Sequence, residues 1–398
     1  MEKSGSDRSP WGQPAQIIPI IRGLLANPTG DPDMPWQPVI LKTITSKEAL
    51  DFAGDEANAE SAHYPEPLTK GRKPPLFITV PERDTGPDEL RKQMEEKIAQ
   101  FVAQHGGKPE IVCLRDLGIL YIDDEQEDAK LPLHNKVALV TGAAGAIGYG
   151  ICRGLLEKRC RVAATDLAGA KLDRLAADLR LTAPDRIIPV ALDVTDEQSV
   201  AAGFEAVIRT WGGIDIVVIN AGIAMVAQLK ETALEAFQRL EKVNVEGTLL
   251  TLSATAHHFI RQGTGGDIVI VSTKNVPSPG AGFGAYSATK AACHQLGRIA
   301  SLELAPHGVR VNMVAPDGVF SEGSFKSGLW EEVGPDRMRA RGLDEQGLQE
   351  YYRNRNLLKA RVTGRHVANA VLFFATRQTP TTGATIPVDG GLPDATPR

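Results

Sequence analysis

The stretch VALVTGAAGAIGYGICRGLL, residues 137–156, joins an unbroken apolar run to an amphipathic, helix-like segment through a turn made almost entirely of glycine and alanine. Four consecutive apolar residues, Val137 to Val140, fit a strand buried on both faces. After them and Thr141, the glycines Gly142, Gly145 and Gly148 leave the backbone bare where it must reverse. A bare backbone at a helix N-terminus turns tightly and lets a pyrophosphate approach the unpaired amides and the positive end of the helix dipole. Gly142, Gly145, Ala146, Ile147 and Gly148 are therefore candidate cofactor contacts. Glycines placed only for a tight, packed turn are the competing account, so the surroundings decide.

Downstream, six more runs of the same kind follow: RVAATDL, RIIPVALDV, IDIVVINAG, GDIVIVST, VRVNMVAP and GATIPVDGG, each separated from the next by a helical stretch. Seven strands alternating with helices predict an α/β fold with a doubly wound, seven-stranded parallel sheet of the Rossmann type over residues 131–398. Upstream the alternation is weaker. QPVILKTI and PPLFITV read as strands, SKEALDFAG as a short helix closed by Gly54, and EIVCLRDLGILYI as a strand or hairpin. Between Pro87 and Gln104, Leu90, Met94, Ile98 and Phe101 recur at helical spacing. Residues 17–130 thus read as a smaller, non-catalytic α/β module, ending in the acidic linker DDEQEDAK; residues 1–16 read as a disordered leader and LPDATPR as an extended tail.

Asp166 closes the second run, about twenty residues past the glycines, where a carboxylate can accept the hydroxyls of an adenosine ribose. A 2′-phosphate at about 4 Å would be repelled by on the order of 4 kcal/mol per unit charge at an effective dielectric near 20. No lysine or arginine sits in the glycine loop or directly after Asp166, so NAD is the expected cofactor, with a helix-cap role for Asp166 as the alternative. Asp193 and Val194 end the third run and can hold an adenine edge, or Asp193 can cap a helix. Asn220, Ala221 and Gly222 end the fourth with the small residues that a closely approaching cofactor requires.

The stretch IVSTKNVPSPGAGFGAYSATK, residues 270–290, carries proton chemistry. Tyr286 and Lys290 share one helical face, where an ammonium group stabilises a phenolate and draws its pKa toward working range. Ser272 and Thr273 are neighbours on a strand end and point to opposite faces, so only one of them can address Tyr286.

Together TGAAGAIG, NAG, VNVEGT, YSATK and VNMVAP, in this order over residues 134–391, resemble the short-chain dehydrogenase/reductase family. The resemblance implies Tyr286 as acid/base, Lys290 as its partner and ribose ligand, and Asn244 as holder of a proton-relaying water. It also implies cofactor contacts from Pro316 and Val319, and a homo-tetramer or homo-dimer formed through the helices of Asn244 and Tyr286. The family's serine lies thirteen residues before the tyrosine, a spacing that lands on Thr273; a one-residue bulge would instead turn Ser272 inward. Ala146 and Asp317 stand where the family commonly has glycine. SGLW, LQEYYRNRNLLKARVT and TTGATIPVDGG, with the upstream stretches VILKTITSKEALDFAG, LTKGRKPPLFITV and PEIVCLRDLGIL, further resemble the dehydrogenase half of bifunctional class II aldolase/short-chain dehydrogenase proteins of rhamnose-type sugar catabolism.

Aldol cleavage of that kind needs a histidine-rich metal site. The eight histidines contain no His-x-His pair, only His63 and His105 precede residue 130, and His63 in HYPEP reads as a loop residue. No metal is expected. The four cysteines lack zinc spacing and read as packed thiols. A net charge of -5 argues against nucleic acid. Without a signal-like or membrane-length apolar segment, the expectation is a cytoplasmic protein with a small-molecule substrate.

The segment from Phe320 to about Asn356 follows the sixth run and would overhang the reacting end as a lid. Trp330, Tyr351 and Tyr352 either line it or pack it; Arg353 and Arg355 either meet an anionic substrate group or form a solvated helix face. The expected function is interconversion of a small, sugar-derived alcohol or hydroxyaldehyde with its carbonyl form. A sensor or scaffold that binds NAD without turnover is the alternative.

Overall fold

Before the glycine-rich turn, a 13-residue helix that the sequence reading did not anticipate opens the described chain. The computed structural model describes residues 12–61, 63–69, 73–81, 85–123, 131–321 and 325–393. Residues 1–11, the linker beyond Asp123 and the tail beyond Pro393 lie outside this set. Helix α1 (Gln13–Leu25) begins inside the expected leader, with proline in its first turn, where a missing amide costs nothing. Its residues Ile17, Ile18, Ile20, Ile21 and Leu25 are buried, which is why Gln13–Gln16 are ordered as its first turn.

Strands β1 (Asn27–Pro28) and β2 (Trp36–Gln37) pair as a short ribbon. Then come β3 (Leu41–Ile44), α2 (Lys47–Ala53), β4 (Leu76–Ile78), α3 (Pro87–His105), β5 (Ile111–Leu114) and β6 (Gly118–Ile122). The sheet order is β3-β6-β5-β4, with only the β4–β5 pair parallel. The EIVCLRDLGILYI stretch is thus a hairpin. Ser46 caps α2 by accepting from the Ala49 amide, and Gly54 ends it. Leu90, Met94, Ile98 and Phe101 form the buried stripe of α3; each such side chain contributes about 1.5–3 kcal/mol on burial.

The seven apolar runs become β7 (Val137–Val140), β8 (Arg161–Asp166), β9 (Ile187–Ala191), β10 (Ile216–Ile219), β11 (Gly266–Val271), β12 (Val309–Pro316) and β13 (Thr385–Val388). They form one parallel sheet in the order β13-β12-β11-β10-β7-β8-β9. Helices α4 (Ala146–Glu157), α5 (Ala170–Arg180) and α12 (Gly364–Ala375) cover one face; α6 (Glu197–Trp211), α8 (Gly247–Gln262) and α9 (Gly284–Leu304) cover the other. A seven-residue helix, α7 (Leu234–Leu240), leads into α8 through a wide π-type turn, Glu241–Glu246. After β12 come α10 (Gly334–Arg341) and α11 (Glu345–Asn354). Strand order reverses between β7 and β10, so crossovers leave in opposite directions and a cleft opens at the carboxyl ends.

Candidate active site

A cavity of about 810 Å³ occupies that cleft, and every residue lining it lies at or after Gly142. The N-terminal region therefore lines none of it among the described residues. The glycine turn forms one end. Gly142 has φ +61, and a Cβ there would stand 2.7 Å from the Ala221 Cα; at Gly148 it would meet the Gly142 carbonyl oxygen at 2.4 Å. Those two glycines are demanded by the protein's own packing. Gly145 is different: a Cβ would find nothing nearer than 3.9 Å, and the bare position faces the cavity as the N-cap of α4. Among the described residues the amides of Ile147 and Gly148 have no protein acceptor, whereas Ala146 donates to the Lys326 carbonyl (3.2 Å). The cradle fits a pyrophosphate, with the crossing segment at Lys326 taking one donor.

Asp166 accepts from the Ala144 amide (2.9 Å) and the Leu167 amide (2.8 Å), which ties the glycine turn to β8 and leaves lone pairs on both oxygens. It does not cap a helix, since Gly169 stands at the N-cap of α5. Lys171 and Arg174 also line the cavity, two cations of α5 that the sequence argument for NAD did not count. Asp193 likewise is no helix cap: it accepts from the Thr195 amide and hydroxyl, and Asp196 caps α6. Val194 packs against Gly247, whose added Cβ would stand 2.7 Å from it. Asn220 donates to the carbonyls of Thr141 and Gly142 (3.0 and 2.8 Å), so this side chain holds the turn rather than reaching for a ligand. Pro316 and Val319 line the cavity, and the Val319 carbonyl accepts from Trp330 Nε1 at 2.9 Å.

At the other end Thr273 faces Tyr286, its hydroxyl near enough to favour the phenolate, and accepts from the Asn275 amide (3.3 Å). Ser272 bonds His294 Nδ1 at 3.1 Å instead, on the opposite side of the strand end. Lys290 is buried and donates to the Val271 carbonyl (3.0 Å), and burial lowers its pKa. Burial pushes Tyr286 up to about 12, only partly offset by Thr273. This differs from the expectation that Lys290 draws the tyrosine toward neutrality: the ammonium is turned to a strand carbonyl, and desolvation dominates. Asn244, fully buried in the π-type turn, accepts from the Ile223 amide (2.9 Å) and donates to the Ile223 carbonyl and Thr289 Oγ1 (3.0 Å each). Its carbonyl takes the Cys293 thiol at 2.9 Å. Gly222 lies against Asn244 and Lys290, where an added Cβ would stand 3.0 Å from Asn244 Oδ1.

Over this end lies the 325–356 segment. Trp330 packs between Phe320 and Tyr352 (ring centroids 5.1 and 5.2 Å), while Tyr351 and Tyr352 both pack and line the cavity. Arg353 pairs with Glu350 on the surface, and Arg355 is held by Asp317, Nε to Oδ2 at 3.0 Å. Neither is left for a substrate anion. Arg337 lines the cavity and was not singled out in the sequence, where it is one of several arginines in a polar stretch. His63 is an exposed loop residue, and all four cysteines are buried and free. Among the described residues no cluster of His, Cys, Asp or Glu could hold a metal, and no helix is long and apolar enough to cross a membrane.

A family model described as short chain dehydrogenase matches residues 136–331. A sorbitol dehydrogenase from Cereibacter sphaeroides is 36% identical over 190 residues, 48% of this chain and 73% of that protein. The uncharacterized oxidoreductase YuxG from Bacillus subtilis is 35% identical over 303 residues, 76% of this chain but 43% of that longer protein. A crystal structure of a short-chain type dehydrogenase/reductase from Mycobacterium marinum aligns with a TM-score of 0.56 at 27% identity, covering 66% of this chain and 98% of the other. The chain belongs to the short-chain dehydrogenase/reductase family, whose members are oxidoreductases using nicotinamide cofactors.

Proposed function

We propose that the chain interconverts a small, sugar-derived alcohol or hydroxyaldehyde and its carbonyl form, with NAD as cofactor and Tyr286 as acid/base. The carrying observation is that Thr273, Tyr286 and Lys290, one helical turn on from the tyrosine, line one cavity whose far end is the glycine cradle. Gly145, Ile147 and Gly148 would hold the pyrophosphate, Asp166 the adenosine ribose, Asp193 and Val194 the adenine edge. Asn220, Ala221 and Gly222 would back the cofactor from the end of β10, and Pro316 and Val319 would flank the carboxamide. Bound there, a nicotinamide supplies or accepts the hydride.

The protein's part is proton handling. A substrate carbonyl oxygen accepts from Thr273 and Tyr286, which polarises the bond and aims it. A phenol protonated across the neutral range donates its proton to that oxygen as negative charge develops there. The Lys290 ammonium, with N–H groups to spare beside its bond to Val271, would reach the nicotinamide ribose and, on turning toward the phenol as charge develops there, would stabilise the phenolate. Asn244 holds the proton-relaying water through its second carbonyl lone pair, beside the Cys293 thiol. The sorbitol dehydrogenase relative supports a polyol-like substrate. The match to 43% of YuxG fits kinship with part of a longer protein. A homo-oligomer formed through α8 and α9, and a cytoplasmic setting, belong to the same proposal.

The test is oxidation of NADH and NADPH against small aldehydes, ketones and ketoses. Tyr286→Phe should cut kcat by at least 100-fold with cofactor binding retained. Unchanged turnover in Tyr286→Phe would sink the mechanism, and a preference for NADPH would mean that Lys171 and Arg174 outweigh Asp166.

A further inference from the structure

The described chain buries four arginines: Arg22, Arg161, Arg337 and Arg377. Three have a carboxylate: Arg22 with Asp215 (2.8 Å), Arg161 with Asp123 (3.9 Å) and Arg377 with Asp267 (2.9 Å). Arg337, 8% exposed, has none. Its Nε is buried without an acceptor, and it makes no hydrogen bond or ion pair among the described residues; its one partner is the Phe283 ring, 5.0 Å below the guanidinium carbon. A guanidinium cannot shed its proton, so a buried one without an anion is a standing desolvation cost.

The carboxylates of the same cavity are already engaged. Asp166 and Asp193 are held by backbone amides, Asp317 by Arg355 and Glu331 by Lys171. Nine lysine and arginine side chains line the cavity against four carboxylates, an excess larger than the two charges of a pyrophosphate offset. The position of Arg337 separates it from that pyrophosphate: Phe283, on which it stacks, has its ring centroid 6.1 Å from that of Tyr286, at the opposite end from the glycine turn.

We infer that Arg337 is the anchor for an anionic group, carboxylate or phosphate, carried by the substrate whose carbonyl meets Tyr286. This rests on the proposed dehydrogenase reading and narrows its substrate class to a short oxo or hydroxy compound bearing a negative charge. A planar fork in a desolvated wall suits the two oxygens of either group.

Matched pairs test it: butanone against 3-oxobutanoate, and hydroxyacetone against hydroxyacetone phosphate, assayed with NADH-saturated wild type, Arg337→Met and Arg337→Lys. The wild type should favour one charged member at least 10-fold in kcat/KM, and which pair does so identifies carboxylate or phosphate. Arg337→Met should lower kcat/KM for that charged member on the order of 10–100-fold, mainly through KM, and leave its neutral partner within threefold; Arg337→Lys should recover part of the loss. Calorimetric titration of cofactor-saturated Tyr286→Phe with the charged ketone reads the anchor without turnover. Binding there that disappears in the double variant with Arg337→Met upholds the anchor even if the acid/base assignment fails. A wild-type preference for the neutral members, an equal loss for both members in Arg337→Met, or binding indifferent to residue 337 would overturn it.

Discussion

At the scale of single residues the question is which of two adjacent hydroxyls acts. Thr273 faces Tyr286 across the cavity wall whereas Ser272 bonds His294, so the strand's alternation assigns them to different neighbours. Thr273→Val removes the donor and keeps the β-branched shape, and is expected to reduce kcat on the order of 100-fold. Ser272→Ala is expected to change kcat less than fivefold, and steady-state rates on one substrate compare them directly. A larger loss from Ser272→Ala reverses the assignment. That the two hydroxyls address different neighbours was legible in the sequence because alternation is a backbone property; which one faces Tyr286 came from the family's serine-to-tyrosine spacing. The electrostatics of the pair were not: which way the Lys290 ammonium turns depends on the Val271 carbonyl, a neighbour 19 residues away in sequence. Arg337 was illegible for the same reason, since its lack of a carboxylate is a fact about every element around it.

At the scale of elements, the seven strands, the stop of α2 at Gly54 and the α3 stripe were readable from local pattern, whereas α1 was not. Its alternation of proline and isoleucine gives no clear helical start beyond a first-turn proline, and its order comes from packing on α6, α8 and α3. Contact between α4 and α12 is another tertiary matter. A Cβ added at Gly150 would stand 2.3 Å from the Gly364 carbonyl carbon, and Gly154 faces Ala368 at 3.0 Å. Gly150→Ala therefore forces two backbones apart and should destabilise the protein by about 1–3 kcal/mol despite the better helix propensity of alanine. Denaturant midpoints measure this; a stabilised variant would show that the helices separate freely.

At the scale of the whole molecule, Arg22 ties the N-terminal region to the large sheet. It donates to Asp215, Gln262 and the Val39 carbonyl, and Asp215 also accepts from the Val137 amide. Burial raises the pKa of Asp215, but Arg22, with Lys136 and the Val137 amide, more than offsets this and holds it below the usual carboxylate value. Arg22→Met takes away the ion-pair partner of that buried charge, leaving it the Val137 amide and the more distant Lys136, and should cost about 3–5 kcal/mol at pH 7. The sign with pH follows. The wild type loses the Asp215 contribution as pH falls below the ordinary carboxylate value, while the variant gains as its stranded carboxylate is neutralised, so the gap between them narrows toward acid. Unfolding curves at pH 7 and pH 3 read it, and a constant gap would assign the loss to packing alone. The close approach of Gly150 to Gly364 reaches furthest in time. The helix that presents the glycine turn, Ala146–Glu157, is backed by a helix far downstream, Gly364–Ala375, so on the ribosome the turn stands without its rear wall until that later helix has emerged.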